Sequence, residues 1–152
     1  MTLDAFRLAQ RYLGVHERAG DQHHPLIQWW LSLCAFGLDA ADEIAWCSAF
    51  VNGVAWELGL PRSKSAAARS WLAVGEPVPL DEAQPGFDVV VLQRGEGPQP
   101  GAAVLDAPGH VGFFAGLDAD AVFVLAGNQS NAVNVQRFPR WRVLGVRRLG
   151  VA

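Results

Sequence analysis

Only two of the 152 residues are cysteine, too few for the disulfide framework that staples small secreted domains. No apolar run approaches the roughly 20 residues that a membrane-spanning helix needs. The amino terminus, Met1-Thr2-Leu3-Asp4, lacks the positive region and hydrophobic stretch of a secretory signal. An excess of positive charge is also missing. Twelve Lys and Arg against 15 Asp and Glu give a formal net charge of -3, scattered along the chain, so nucleic acid is not an expected partner. His23-His24 is an adjacent pair rather than the i,i+4 pair of a helical metal site, so no metal is expected. There is no internal repeat and no composition break that would mark a domain boundary.

What is present is a chain that is 51% hydrophobic, long enough to bury a real core as one domain spanning residues 1–152. The amino-terminal half reads helical. Phe6, Leu8, Ala9, Tyr12 and Leu13 recur at helical spacing over Leu3 to Leu13, with Gly14 as a stop. A second helix is predicted from Pro25 to Phe36, and a third from Cys47 to Leu58 ending at Gly59. A short helix over Ala66 to Ala73 follows. Beyond Gly75 the pattern changes to strands: Phe87 to Gln93, His110 to Ala115, Ala121 to Leu125, Ala132 to Phe138 and Trp141 to Leu149. Helices first and strands afterwards predict an α+β fold, one antiparallel sheet covered by helices.

Three segments carry chemistry. Trp46-Cys47-Ser48-Ala49-Phe50-Val51 puts a thiol in the first turn of a helix, where unpaired backbone N–H groups stabilise a thiolate. Gly109-His110-Val111-Gly112-Phe113 puts an imidazole on a strand, with Gly112 on the same face leaving space for another group to approach. Gly127-Asn128-Gln129-Ser130-Asn131 follows the next strand and offers an amide oxygen to hold the imidazole tautomer. Asn128 is the expected orienting residue. Gln129 is the alternative, because a one-residue change of register swaps the inward side chain. Cys34, inside an apolar helical run, reads as a core residue.

Together, Asp42-Glu43-Ile44-Ala45-Trp46-Cys47-Ser48-Ala49-Phe50-Val51-Asn52, Gly109-His110-Val111-Gly112-Phe113 and Gly127-Asn128-Gln129-Ser130-Asn131 resemble a phage and bacterial branch of the NlpC and CHAP cell-wall hydrolases. Ala68-Arg69-Ser70-Trp71-Leu72 and the stretch from Pro85 to Arg94 share the likeness, which runs from about residue 10 to residue 148. One departure is visible: the family's glycine-acid pair before the first strand is here interrupted by Phe87, in Gly86-Phe87-Asp88.

The resemblance implies a papain-like core and thiol-dependent cleavage of peptidoglycan amide bonds. Cys47 would be the nucleophile, His110 the base and Asn128 the orienting group, with no cofactor. An endopeptidase acting on the peptide stem, as a phage endolysin or antibacterial effector, is the leading expectation. N-acetylmuramoyl-L-alanine amidase is an alternative, and a non-catalytic wall-binding or phage structural protein is another. Trp46, Asp42, Glu43 and Arg69 are candidate substrate contacts. Asp42 and Glu43 could instead complement the helix terminus, Trp46 could belong to the core, and Arg69 could be solvent-exposed. A monomer is expected, with a holin or an immunity protein in its genetic context. Synthesis would be cytoplasmic and action would follow release to the cell wall.

Overall fold

The computed structural model describes residues 2–18, 23–34 and 46–150. Helices α1 (Ala5–Gln10) and α3 (Cys47–Glu57) pack on one face of a six-stranded antiparallel sheet, and α2 (Pro25–Ser32) packs against α3. The strands are β1 (Glu76–Val78), β2 (Asp88–Gln93), β3 (Gly109–Leu117), β4 (Ala121–Gln129), β5 (Ala132–Pro139) and β6 (Val143–Arg148), in the order β1-β6-β2-β3-β4-β5. The α+β class and the division of the chain into a helical half and a sheet half agree with the sequence reading.

Each helix begins where its residues dictate. Asp4 caps α1 by accepting the Arg7 N–H at 2.8 Å. Pro25 opens α2, while the His24 ring accepts the Leu26 N–H, sparing a first-turn donor. Helix α3 has no side-chain cap, so its first-turn N–H groups remain open for other use. The helix predicted over Ala66 to Ala73 is a 3-10 helix over Ala68–Ala73. The last strand starts at Val143 because a 3-10 turn occupies Arg140–Arg142. The far end of the second predicted helix, from Ala35 onward, lies outside the described residues. Strand β1, two 3-residue 3-10 turns and the extension of β4 to Gln129 were not read from the sequence.

Two apolar layers sandwich the sheet. Trp30, Trp46, Phe50, Val54, Val89, Val91, Val111, Phe113 and Leu125 fill the helix side. Val90, Leu92, Phe114, Val122, Val124 and Val146 fill the other, with Phe138 against them. The alternation along β2 and β3 between the layers is the period-two pattern of a sheet buried on both faces. Aromatic edges tie the helix layer together: Phe50 meets Trp30 at 5.0 Å and Phe113 at 5.9 Å between ring centroids. Buried aromatic pairs of this geometry contribute about 0.5–1.5 kcal/mol beyond area burial.

Helix α3 is fixed to the following segment by polar bonds. The Ser48 hydroxyl donates to the Ser65 carbonyl at 2.6 Å and accepts from Trp71 Nε1 at 2.9 Å. Asn52 Oδ1 accepts the Lys64 N–H at 2.9 Å. Ser48 and Asn52 are fully buried, and these partners offset the cost of burying them.

Candidate active site

The sheet opens between the ends of β3 and β4, and the amino end of α3 enters the gap. Pairing of β3 with β4 runs from Phe113↔Leu125 to Leu117↔Val122, so β4 leaves the start of β3 unpaired. The Val111 N–H there donates to the Cys47 sulfur, as does the Ser48 N–H in the first turn of α3. On the other side of the gap, the Trp46 ring packs against Gly127. A Cβ at that position would lie 2.4 Å from the ring, so only glycine admits Trp46 there. Gly112 similarly admits β4: a Cβ would come within 2.5 Å of Ala126 and Val124 side-chain carbons. The space that Gly112 was expected to leave is therefore occupied by β4.

The Cys47 thiol hydrogen-bonds the His110 ring, and His110 Nε2 lies 3.0 Å from Gln129 Oε1. The Gln129 amide can be oriented from its other contacts. Its nitrogen donates to the Asn134 carbonyl at 2.8 Å, Asn134 Oδ1 at 2.9 Å and the Val124 carbonyl at 3.3 Å. Because those partners only accept, the amide oxygen must face His110, so Nε2 carries the proton. Nδ1 is then left for the sulfur. Asn134 Nδ2 returns a bond to the Gln129 carbonyl at 2.8 Å.

A β-bulge decides between Asn128 and Gln129. Ala126 pairs with Asn134 and Gln129 with Ala132, so two residues of β4, Gly127 and Asn128, oppose Val133 alone. Plain alternation from Val124 and Ala126 would put Asn128 on the His110 face. The extra residue moves Gln129 there instead. Asn128 takes a left-handed φ of 58° and makes no hydrogen bond to His110 among the described residues. It lines the hollow beside that ring. The two-residue turn Ser130-Asn131, with φ of 51° and 62°, has the positive values of the hairpin turn that matches strand twist and fixes this register.

Burial, the largest single influence on the Cys47 thiol, pushes its pKa up. The hydrogen bond and charge of His110, with the Val111 and Ser48 N–H groups, outweigh that and hold it below the ordinary thiol value. For His110, burial again acts first, downward. The Cys47 bond and charge, with the Gln129 bond, carry it above the ordinary imidazole value, against the opposing charge of Arg94. Both directions favour a thiolate–imidazolium pair. Cys34 contrasts with this: burial raises its thiol to about 11, with Arg62 opposing. Both cysteines are free thiols.

The expected substrate contacts fare differently. Trp46 is buried, stacks on Trp30 at 6.0 Å and donates its indole N–H to Glu17, so it belongs to the core rather than to a cleft wall. Arg69 is neither solvent-exposed nor directed at a cleft. It is fully buried, giving Nε to the Pro108 carbonyl at 2.9 Å and Nη1 to the Pro100, Gly101 and Val104 carbonyls at 2.8–3.1 Å. It fastens the loop from Arg94 to Pro108. Asp42 and Glu43 lie outside the described residues. Asp88, beyond the Gly86-Phe87 departure, is buried in a two-point ion pair with Arg148 at 2.7 and 2.8 Å, a structural role. Among the described residues no group of three His, Cys, Asp or Glu side chains is placed to hold a metal ion, and no helix is long and apolar enough to cross a membrane.

Asn134, Arg94 and Arg142 are the site residues that sequence reasoning missed. The alternation of Asn134 and Gln136 along β5 was a usable signal once the hairpin register was known. Arg94 lines two hollows flanking the Cys47–His110 pair. One also contains Cys47, Ala66, Ala67, Ala68 and Asp106; the other contains His110, Asn128, Gln129, Gln136 and Arg142.

This arrangement, a thiol at a helix start beside a strand imidazole that is bonded to an amide, brings together the kinds of group that nucleophilic acyl transfer uses. The fold compares with the solved structure of NlpC1 from Trichomonas vaginalis, at a TM-score of 0.52 and 16% sequence identity. The match covers 97% of this chain and 44% of that one, so this chain spans less than half the length of that protein. The likeness is one of fold. No protein-family model matches the sequence, and no curated protein matches it.

Proposed function

We propose that the protein is a cysteine hydrolase of peptidoglycan, cleaving amide bonds of the cell-wall peptide stem as an endopeptidase. The hydrogen-bonded series Cys47, His110 and Gln129 is the single observation that carries this reading. The resemblance carried by the three sequence blocks supports the cell wall as the substrate.

In this mechanism the Cys47 thiolate attacks the scissile carbonyl, and the Cys47 backbone N–H stabilises the developing oxyanion at the helix start. The His110 imidazolium gives its Nδ1 proton to the departing amine. Water then attacks the thioester, with His110 as base, and releases the carboxylic acid and free thiol. Gln129 holds Nε2–H throughout, so Nδ1 always meets the reacting atoms.

Digestion of purified sacculi, followed by mass spectrometry of the new amino termini, tests the proposal. Stem-peptide cuts that require Cys47 are expected. Cuts confined to the N-acetylmuramic acid–L-alanine bond would make the enzyme an amidase, and undiminished cutting by Cys47→Ala would remove the thiol mechanism. Release to the wall as a phage endolysin or antibacterial effector is the biological setting proposed for this activity.

A further inference from the structure

The hollow beside His110 holds positive charge without a matching acid. Its described lining includes Arg94, Arg142, Asn128, Ser130, Gln136 and Phe138, and no Asp or Glu. Four other arginines face acids, Arg7 with Asp4, Arg148 with Asp88, Arg137 with Asp118 and Arg140 with Asp81, and Arg69 and Arg147 spend their guanidinium groups on backbone carbonyls. Arg142 is pre-set instead. Its Nε and Nη2 donate to the Gln93 carbonyl, both at 3.2 Å, and its guanidinium sits 5.1 Å above the Phe138 ring. Its Nη1 has no partner among the described residues. Arg94 extends from the next residue after Gln93, with its own backbone N–H held by Gln99 at 3.0 Å. Its side chain makes no ion pair among the described residues.

The chemistry of the proposed reaction assigns sides to the two hollows. The carbonyl carbon must sit on Cys47, so the acyl fragment belongs with the hollow that contains Cys47. The departing amine takes its proton from His110, so the amine fragment belongs with the hollow that contains His110. On that reading of the site, we propose that the amine-side fragment carries a free carboxylate, which Arg94 and Arg142 receive. Guanidinium forks suit a planar carboxylate. The charge of Arg94 opposes protonation of His110 in the free protein; a bound carboxylate offsets that opposition when the imidazolium is needed.

The test uses purified sacculi beside sacculi whose carboxyl groups have been converted to methylamides. Initial rates of new amine release are compared for the wild type, Arg94→Gln, Arg142→Gln and the double variant. The wild type is expected to cut untreated sacculi about 10- to 100-fold faster, the range for hydrogen bonds to a charged group. The residue bearing the new amine should hold a free carboxylate. The double variant should lose most of that ratio. The ratio is internal to each protein, so partial loss of folded protein does not alter it. Equal wild-type rates on both materials, with cutting still dependent on Cys47, would overturn the carboxylate proposal and leave the thiol hydrolase standing. An absence of new amines from either material, or equal cutting by Cys47→Ala, would overturn the reading beneath it.

Discussion

Gln129 and Asn134 hold each other by reciprocal bonds: the Gln129 amide nitrogen gives to Asn134 Oδ1 at 2.9 Å, and Asn134 Nδ2 gives to the Gln129 carbonyl at 2.8 Å. The orientation of His110 thus rests on a residue that never touches it. Gln129→Ala should lower kcat by about 10- to 100-fold, since the proton-carrying group stays and only its tautomer and direction loosen. Asn128→Ala should change the rate less than threefold, a ratio worth about 0.65 kcal/mol. Rates on purified peptidoglycan decide the matter, and a severe loss for Asn128→Ala with none for Gln129→Ala would return the orienting role to Asn128.

Asn134→Ala gives a graded version of the same test. It removes one acceptor of the Gln129 amide and one donor to the Gln129 carbonyl. A drop in kcat with KM nearly unchanged is expected, together with a stability loss of about 1–3 kcal/mol from buried groups left unpaired. Urea unfolding and steady-state kinetics on the same preparation separate the two effects.

The thiols should react in a fixed order. Cys47 is held below the ordinary thiol value by His110 and two backbone N–H groups against burial, whereas burial raises Cys34 to about 11. Iodoacetamide near neutrality should therefore label Cys47 first, as peptide mapping would show. Labelling should abolish hydrolysis, and EDTA should not, because a thiolate rather than metal-bound water is the attacking group.

The pH profile should be broad and bell-shaped. Activity rises as pH climbs through the depressed Cys47 ionisation and falls as it passes the elevated His110 ionisation. His110→Ala removes the principal influences holding the thiol down while its burial persists. Thiolate absorbance should therefore emerge at higher pH in that variant than in the wild type, and hydrolysis should fall at least 100-fold. A thiolate titration that does not move would break the proposed coupling.

Arg69→Met should destabilise the protein by about 2 kcal/mol or more, because four loop carbonyls lose their charged donor. Thermal unfolding measures this. Limited proteolysis between Arg94 and Pro108 should accelerate at the same time, since the fastening of that loop is what is lost.

The sheet, the helices and the Cys47 and His110 positions were readable because each has a local cause. Hydrophobic period, capping residues and a glycine-flanked strand start are written within a few residues. Gln129 was less so. Its placement depends on a bulge at Gly127-Asn128 and a turn at Ser130-Asn131, which shift the face by one residue without disturbing composition. Arg69 and Trp46 show the opposite difficulty. A charged residue and a large aromatic beside reactive groups suggest substrate contact, but their surroundings are set by segments remote in the chain: the Pro100 to Pro108 carbonyls for one, Glu17, Trp30 and Gly127 for the other. Arg94 and Arg142 became visible as a pair only when β2 and β6 were seen side by side.

The wedge of α3 between β3 and β4 also sets an order of assembly. A ribosome delivers Cys47 well before the strands that complete its surroundings. The Val111 donor and the His110 ring come with β3, and the Gln129 amide is locked only when β5 brings Asn134. A chain ending before β5 therefore lacks the Asn134 bonds that hold the Gln129 amide toward His110. The surroundings of Cys47 are thus completed from the carboxy-terminal side, by the hairpin of β4 and β5.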